Sequence, residues 1–211
     1  AATVTLGGGA LTLRAVSNVS LMADATSGGG DVYIDAGAAL LMASDITLSA
    51  GGGDVALLAT GDVEVAQVLS LLAGVYISSA NGAVVRSAND GRTNVKAARL
   101  QLLAGTAIGD LAIIDDAIII EVDRITATAQ NGVLAIDSLN DLSVGETTVS
   151  VDYAEADGTI DSDAWTTYQL RTDAGNAVLR GRGALTFEAI ASDPTVQING
   201  NALVSAAGTL Q

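Results

Sequence analysis

A short motif of alternating residues recurs along this chain and constrains its fold more than any other feature. The motif is an apolar residue, any residue, a second apolar residue, any residue and then alanine. Side chains that alternate with a period of two lie on opposite faces of an extended strand, so each copy predicts a β-strand. The copies are LTLRA (11–15), VSLMA (19–23), VYIDA (32–36), ITLSA (46–50), VALLA (55–59), LSLLA (69–73), LQLLA (100–104), LTFEA (185–189) and the weaker ITATA (125–129).

The spacing of these strands indicates that the chain winds into coils. Gly-Gly-Gly triplets occur at 7–9, 28–30 and 51–53, at offsets of 21 and 23 residues, and the strands keep the same offsets. Glycine supplies the positive φ values that sharp corners need. Three predicted strands within each repeat of 21 to 23 residues correspond to one turn of a three-sided coil. We therefore predict an all-β fold, a right-handed parallel β-helix (three-sided β-solenoid) of about seven or eight coils.

The offsets also predict vertical neighbours and the side chains that point into the core. The predicted columns are Leu11–Val32–Val55, Val19–Leu40–Val63 and Ile46–Leu69. The side chains predicted to form inward ladders are Val32, Ile34, Ile46, Leu48, Val55, Leu57, Leu69 and Leu71. Stacking allows each coil to bury an apolar face that it could not bury alone.

A helical repeat is the alternative fold, because alanine and leucine are good helix formers. The chain nevertheless has 24 glycines, and Thr and Val occur throughout it. Strict two-residue alternation and these residue types favour strands. Helical repeat units are also longer, at about 33 to 47 residues.

We expect residues 1–211 to be a single β-solenoid segment of a longer chain, since the sequence starts without methionine and stops within the pattern. Residues 1–74 form regular short coils and 75–145 form longer ones. Residues 146–168 break the pattern as an inserted loop, and 169–211 form the final coils.

Composition excludes several classes of function. The chain has no cysteine and no histidine, which excludes disulfides, thiol catalysis and a Ser-His triad. Its net charge of -15 opposes binding to nucleic acid phosphates. No apolar run reaches about 18 residues, so we expect no membrane insertion.

Residues 102–145 resemble the repeat modules of filamentous-haemagglutinin-type giant surface proteins of Gram-negative bacteria. The resemblance lies in LxAGxxIG at 102–109, an apolar-x-Ala strand at Ile125–Ala129, and then NGVLAI and DLSVG. The GGGDVxL/I turns at 28–59 resemble tighter coils of the same family. The resemblance implies a secreted, extracellular, rod-like protein at the bacterial cell surface, used in adhesion, aggregation or biofilm formation. The implied partners are neighbouring coils or subunits stacked end to end, and host or matrix glycans or proteins.

The segment 146–168 is the candidate site for a ligand. Its carboxylates could hold Ca²⁺, which takes six to eight oxygen ligands, although EF-hand spacing is not met. The alternative is a solvated acidic loop that protrudes from the solenoid, and no other cofactor is expected. The candidate calcium ligands are Asp152, Asp157, Asp161 and Asp163.

Aromatic and basic residues offer two further binding hypotheses. Trp165 and Tyr168 could stack against a sugar, or they could fold back and cover the flank of the solenoid. The only basic cluster could dock an acidic partner or anionic glycan, or it could neutralise the acidic surface locally. The cluster consists of Arg86, Arg92, Lys96 and Arg99.

Three classes of function follow. The favoured one is a non-catalytic structural or adhesive segment of a large secreted surface protein, acting as a stiff rod. The second is a self-assembling extracellular fibre or sheath subunit. The third is a polysaccharide-degrading β-helix enzyme, which would need paired carboxylates such as Asp115–Asp116 or Asp161 and Asp163.

Overall fold

The computed structural model describes residues 3–88, 90–110, 116–189 and 196–211. This part of the chain is all-β, with almost no helix and long parallel sheets. No helix within the described ranges has the length and apolar character needed to cross a membrane. The strands are β1 (Val4–Thr5), β2 (Leu11–Ala15), β3 (Val19–Leu21), β4 (Ala25–Thr26), β5 (Val32–Ala36), β6 (Leu40–Met42), β7 (Thr47–Gly51), β8 (Val55–Ala59), β9 (Val63–Val65), β10 (Gln67–Ser79), β11 (Val84–Arg86), β12 (Val95–Ala104), β13 (Ile118–Ala129), β14 (Leu134–Ser138), β15 (Leu142–Val144), β16 (Thr147–Ala154), β17 (Ile160–Thr167), β18 (Leu170–Thr172), β19 (Ala177–Gly181), β20 (Leu185–Phe187), β21 (Val196–Ile198) and β22 (Ala202–Ala206).

Most strands pair in parallel with partners 18 to 27 residues away, close to the sequence offsets of 21 and 23. The pairs that span the segment 147–167 are 43 residues apart. One 16-stranded sheet follows the path β1-β4-β7-β10-β12-β13-β14-β19-β22, with side branches, and a 4-stranded sheet follows β11-β9-β6-β3. Among the strands of the described ranges, only β16 and β17 pair antiparallel. We use the word layer for the chain segment between one strand and its next parallel partner. This arrangement is compatible with a β-solenoid.

Two of the three predicted columns are confirmed. Leu11 pairs with Val32, which pairs with Val55. Val19 pairs with Leu40, which in turn pairs with Val63. The inward side chains of successive layers form one continuous aliphatic core, in which Val32, Ile34, Leu48, Val55 and Leu57 have no exposed surface and Ile46 is 4% exposed.

The predicted contribution of LSLLA to the core is wrong. Leu69 lies beside Ser49 rather than above Ile46, and it is half-buried, whereas Leu71 is 54% exposed. In this strand Val68 and Ser70 are buried and point into the core, so the alternation of inward and outward side chains is opposite to the predicted one. The register of pairing between β10 and β12 shifts between Ser70 and Gly74, and the side chains of Leu71 and Leu72 within this irregularity are exposed to solvent.

The layers are joined at their corners by close backbone contacts and by side chains. Gly28 and Gly51 have φ values of +70° and +68°, which confirms the predicted use of glycine for sharp bends. A recurring link joins consecutive layers, in which an Asp or Asn oxygen accepts a hydrogen bond from a backbone N–H of the next layer. The pairs are Asn18 with Ala39, Asp24 with Thr47, Asp31 with Asp54, Asp54 with Gly74, Asp62 with Ala83, Asn94 with Ile119, Asp141 with Ala184 and Asn176 with Asn201.

The segment predicted as a protruding acidic loop is instead a regular hairpin. Strands β16 and β17 pair from Thr147↔Thr167 to Ala154↔Ile160. Alternate residues of β16 are buried along its whole length, so the hairpin lies against the parallel sheet. The physical reason is the two-residue alternation of apolar and polar side chains in TTVSVDYA, which gives this strand one apolar face.

Candidate functional site: a hairpin docked across the layers

The hairpin binds to a vertical column of outward-facing residues on the parallel sheet. In each strand of the column the neighbouring residues point into the core, so these residues point away from it. Parallel pairing brings one residue from each of six successive layers into register. The column consists of Thr12, Tyr33, Ala56, Tyr76, Gln101 and Thr126.

Strand β16 runs along this column, from the layer of Thr126 to the layer of Thr12. Its buried residues are Thr147, Val149, Val151 and Tyr153. Five steps between layers cover about 24 Å at ~4.8 Å per step, and the seven residue steps of β16 also cover about 24 Å at ~3.4 Å each. The strand therefore matches the height of the column, and one hairpin contacts six layers at once.

Aromatic stacking forms the centre of the interface. Tyr153 stacks on Tyr33 with ring centroids 4.3 Å apart, and Trp165 stacks on Tyr76 at 4.4 Å. These rings form a second apolar cluster with Ala56, Val149 and Val151, outside the main core. Burial raises the pKa of both Tyr33 and Tyr76, since a phenolate would lose solvation there.

Gly74 makes room for the hairpin beside this cluster. A Cβ atom at position 74 would lie 2.6 Å from Val149 Cγ2, which is well inside van der Waals contact. The Gly74 N–H donates to Asp54 Oδ1, so the same residue joins two layers and admits the hairpin. Burial raises the pKa of Asp54, opposed by this hydrogen bond and by the charge of Arg99.

Polar contacts hold both ends of the hairpin. At one end, Gln101 Nε2 donates to the carbonyl oxygens of Thr147 (2.6 Å) and Trp165 (2.9 Å). At the other end, the Ala154 N–H donates to Thr12 Oγ1 at 2.9 Å, and the Asp152 N–H donates to Asp31 Oδ2 at 2.8 Å. These donors therefore have acceptors across the interface, whereas Gln101 Oε1 is buried without a hydrogen-bond partner among the described residues.

Arg14 lies at the end of the hairpin interface that is formed by the N-terminal strands of the sheet. Its guanidinium lies 5.1 Å from the ring centroid of Tyr33 and 4.6 Å from that of Tyr153. Nη1 is 2.8 Å from Glu155 Oε2. The pKa of Arg14 is raised, first through its hydrogen bond with Tyr33 and further through Glu155. The cation thus links the sheet, the aromatic cluster and the hairpin.

The hairpin separates the four predicted calcium ligands. Asp161 and Asp163 lie opposite Tyr153 and Val151 on the inward face, whereas Asp152 lies opposite Ser162 on the outer face. Asp157 is at the turn, where its Oδ1 accepts hydrogen bonds from the N–H and hydroxyl of Thr159, which lower its pKa. Within the described ranges no group of three or more acidic side chains could hold a metal ion.

The two predicted sugar-binding aromatics have different environments. Trp165 packs on Tyr76, so one face of the indole is occupied and the residue covers the flank of the sheet. Tyr168 follows the hairpin and is 40% exposed. Among the described residues, Tyr168 has no ring contact with Trp165.

The predicted basic cluster is divided among separate ion pairs. Lys96 Nζ lies 2.7 Å from Glu121 Oε1, and Arg99 lies 3.7 Å from Asp54. Arg86 and Arg92 both approach Asp90, at 3.7 and 3.2 Å. The four cations therefore neutralise nearby carboxylates. Of the carboxylate pairs considered for hydrolysis, Asp115 lies outside the described residues.

Sequence reasoning missed the docking column itself. Its signal was available, because Tyr33 and Tyr76 stand at outward positions of strands whose inward residues are Val and Ile. Large aromatic rings at solvent-facing positions indicate that something covers them.

In comparisons with known proteins, no family model, curated protein or solved structure matches this chain.

Proposed function

We propose that this chain is a right-handed, three-sided parallel β-solenoid of about seven or eight coils that acts as a stiff rod. The observation that supports this most is the parallel pairing that continues from β2 through β5, β8, β10 and β12 to β13. At ~4.8 Å for each layer, the rod would be about 35–40 Å long.

The proposed role is non-catalytic: a structural or adhesive segment of a large secreted protein at the bacterial surface. The sequence resemblance to filamentous-haemagglutinin-type modules supports the location. The docked hairpin supports the proposed stiffness, because strand β16 contacts six successive layers along the axis of the stack. Its outer face offers exposed polar groups, including Thr148, Ser150 and Thr166, to a glycan or protein partner.

Distance measurements between spin labels test the rod. The chain has no cysteine, so single cysteines can be placed at exposed Val16 and Leu203 without interference. A continuous stack should give one narrow distance distribution centred at about 35–40 Å. A broad or much shorter distribution would contradict a stiff rod.

Surface display and adhesion test the role. Antibodies raised against the chain should label intact cells of the source bacterium, and labelling of permeabilised cells only would contradict the location. Beads coated with folded chain should bind extracellular-matrix preparations or glycan arrays more than beads coated with the same chain after heat denaturation. Equal binding by both would remove the adhesive role.

A further inference from the structure

The docked hairpin has one long edge without a partner strand. Among the strands of the described ranges, β17 pairs with β16 alone. At the turn the Glu155 N–H donates to the Thr159 carbonyl, which fixes the alternation of the hydrogen bonds between the two strands. The peptide groups of odd-numbered residues in β17 therefore face β16, and those of even-numbered residues point away from it. The residues whose peptide groups point away are Ile160, Ser162, Ala164 and Thr166.

The opposite edge of the hairpin, on β16, is already bonded to the sheet through the N–H groups of Asp152 and Ala154. On the β17 edge, the Ser162 N–H donates to Oδ1 of the neighbouring Asp161 at 2.9 Å. An exposed edge with free peptide groups can pair with a further strand. The exposed residues of this edge whose N–H groups have no acceptor among the described residues are Ile160, Ala164 and Thr166.

The free edge of β17 runs beside a second column of outward-facing residues on the parallel sheet. Along β5 and the residue before it, the order is Asp31, Tyr33 and Asp35. Because β16 is bonded to Asp31, β17 lies on the side of Asp35. Parallel register continues this second column from layer to layer, and all of its members are half-buried. The second column consists of Asp35, Leu58, Ser78, Leu103 and Thr128.

Apolar surface continues from the hairpin interface into the second column. Leu58 packs against the aromatic cluster under the hairpin but is only half-buried. Trp165 of β17 packs against the same cluster and is also half-buried. Leu103 lies two layers beyond Leu58 in the second column. A strand placed beside β17 would cover both leucines and extend the interface that the hairpin already forms.

Carboxylates lie at one end of the groove between β17 and the second column. Asp161 and Asp163 stand on the sheet-facing side of β17, and Asp35 belongs to the second column. Burial is the main cause of the raised pKa of Tyr33, and the charges of Asp35 and Asp163 add to it, so both carboxylates lie near this ring. This end of the groove is therefore acidic.

The acidic end determines the charge of a strand that could bind here. Arg14 continues the second column next to Asp35, but its charge is paired with Glu155 at 2.8 Å. Like charges on neighbouring strands repel, so an acidic strand is disfavoured. A second copy of this chain, with a net charge of -15, would meet the same repulsion. A strand with basic side chains would instead be attracted.

We propose that the free edge of β17 binds an extended peptide strand of another protein, with basic side chains beside Asp35 and Asp163 and aliphatic side chains over Leu58 and Leu103. Main-chain hydrogen bonds give such a complex its affinity, and alternate side chains give it specificity. Strand β17 has eight residues, so the site accommodates a peptide of that length. The inference goes beyond the proposed rod, because a site on the hairpin does not depend on the length of the stack.

Three synthetic peptides test the site by calorimetry and by hydrogen exchange of the intact chain. The first is Lys-Thr-Lys-Thr-Val-Thr-Val-Thr, which places lysine and valine on one face. The second has glutamate in place of both lysines, and the third is the lysine peptide methylated on every peptide nitrogen. The lysine peptide should bind at least about tenfold more tightly than either of the others. Its binding should slow hydrogen exchange at Ile160, Ala164 and Thr166.

Three variants of the chain locate the bound peptide. Ala164→Pro removes an N–H that points away from β16, and should weaken binding of the lysine peptide about tenfold. An unchanged fluorescence emission of Trp165 shows that the hairpin of this variant remains docked. Asp163→Asn should weaken binding about threefold. Asp152→Asn is the matched control, because Asp152 lies on the outer face of the same hairpin and its loss should leave binding unchanged.

Equal binding of the lysine and glutamate peptides would overturn the proposal, as would undiminished binding of the methylated peptide. Absence of binding by the lysine peptide at about 1 mM would also overturn it. A wild-type dimer that Ala164→Pro dissociates would show that a second copy occupies the edge instead. The spin-label distance does not depend on the peptide. A narrow distribution without peptide binding would therefore retain the rod and remove only this site.

Discussion

The parallel layers and the docked hairpin are both built from strands, yet they are held by different interactions. In the layers, aliphatic side chains such as Val32 and Val55 are fully buried in vertical columns. In the hairpin, stacked aromatic rings, hydrogen bonds and one arginine make the contact. Layers contact their neighbours only, whereas the hairpin contacts six of them.

This difference has a consequence for cooperativity. In a stack of layers, each layer is stabilised mainly by its contacts with the layers directly above and below it. Parts of such a stack can therefore unfold separately. A strand that runs along the axis couples layers that do not contact each other. We therefore expect the layers from Thr12 to Thr126 to unfold as one unit, and those beyond the hairpin to unfold more independently.

The largest expected effect comes from a charge in the columns. Val55→Asp places a carboxylate where the side chain is fully buried, and should destabilise the fold by ~3–5 kcal/mol. Chemical denaturation followed by circular dichroism measures the change. Val16→Asp is the matched control, since Val16 is completely exposed and should tolerate the same charge. Equal stability of Val55→Asp and wild type would show that Val55 does not face the core.

A smaller effect is expected from crowding the hairpin away from the sheet. Gly74→Ala adds a methyl group 2.6 Å from Val149 Cγ2 and should cost about 1–3 kcal/mol, because the hairpin must shift. Trp165 would then lose its contact with Tyr76, and its fluorescence emission should move to longer wavelength.

Gly52→Ala is the control for this change, because a Cβ atom at position 52 meets nothing within 4 Å. If both alanine variants behave alike, the space at Gly74 is not what admits the hairpin. If Gly74→Ala lowers stability without changing the Trp165 emission, the added methyl group disturbs the layers instead.

The layers were predictable and the hairpin contacts were not, for a physical reason. Offsets of 21 and 23 residues placed Leu11, Val32 and Val55 in one column, because the glycine triplets move by the same offsets and one inward phase leaves a single register. In β10 both phases of the strand carry apolar residues, so the pattern could not select the inward one. The structure buries Ser70, whose hydroxyl donates to the Gly53 carbonyl at 2.7 Å, and exposes Leu71.

The docking of the hairpin depends on contacts between distant positions. Ala154 binds Thr12 across 142 residues, and Asp152 binds Asp31 across 121. The break in the repeat at 146–168 predicted an inserted loop. The alternation in TTVSVDYA is typical of a strand with one apolar face, but it does not identify the surface that covers that face. The acidic composition of the segment suggested a calcium loop, whereas hairpin pairing places Asp152 and Asp163 on opposite faces.

Alkaline pH should weaken the hairpin before it weakens the layers. Burial raises the pKa of Tyr33 and Tyr76 above the ordinary value of 10.0. Their neutral forms therefore stabilise the docked state fully below pH 10.0, and this contribution is lost as the pH rises through the folded-state pKa values. Tyrosinate absorbance and Trp165 fluorescence should change together above pH 10.0, ahead of the far-ultraviolet dichroism.

A double Tyr33→Phe, Tyr76→Phe variant tests the assignment of that alkaline transition. It keeps the stacked rings and removes both ionisable hydroxyls, so the early change in Trp165 fluorescence should shift to higher pH or disappear. An unchanged transition would assign the alkaline sensitivity to other groups.

The smallest expected effect concerns the ion pair that closes the interface. Arg14 and Glu155 have side chains 37% and 34% exposed, so solvent screens their attraction and the pair should contribute only ~0.2–1 kcal/mol. A double-mutant cycle with Arg14→Met and Glu155→Gln measures this coupling. Arg14→Met should cost more than Glu155→Gln, because the guanidinium also lies over Tyr33 and Tyr153. The two variants could instead lower the free energy of unfolding equally, by an amount that equals their coupling energy. Arg14 would then stabilise the interface only through its ion pair with Glu155 and not through its contact with the aromatic rings.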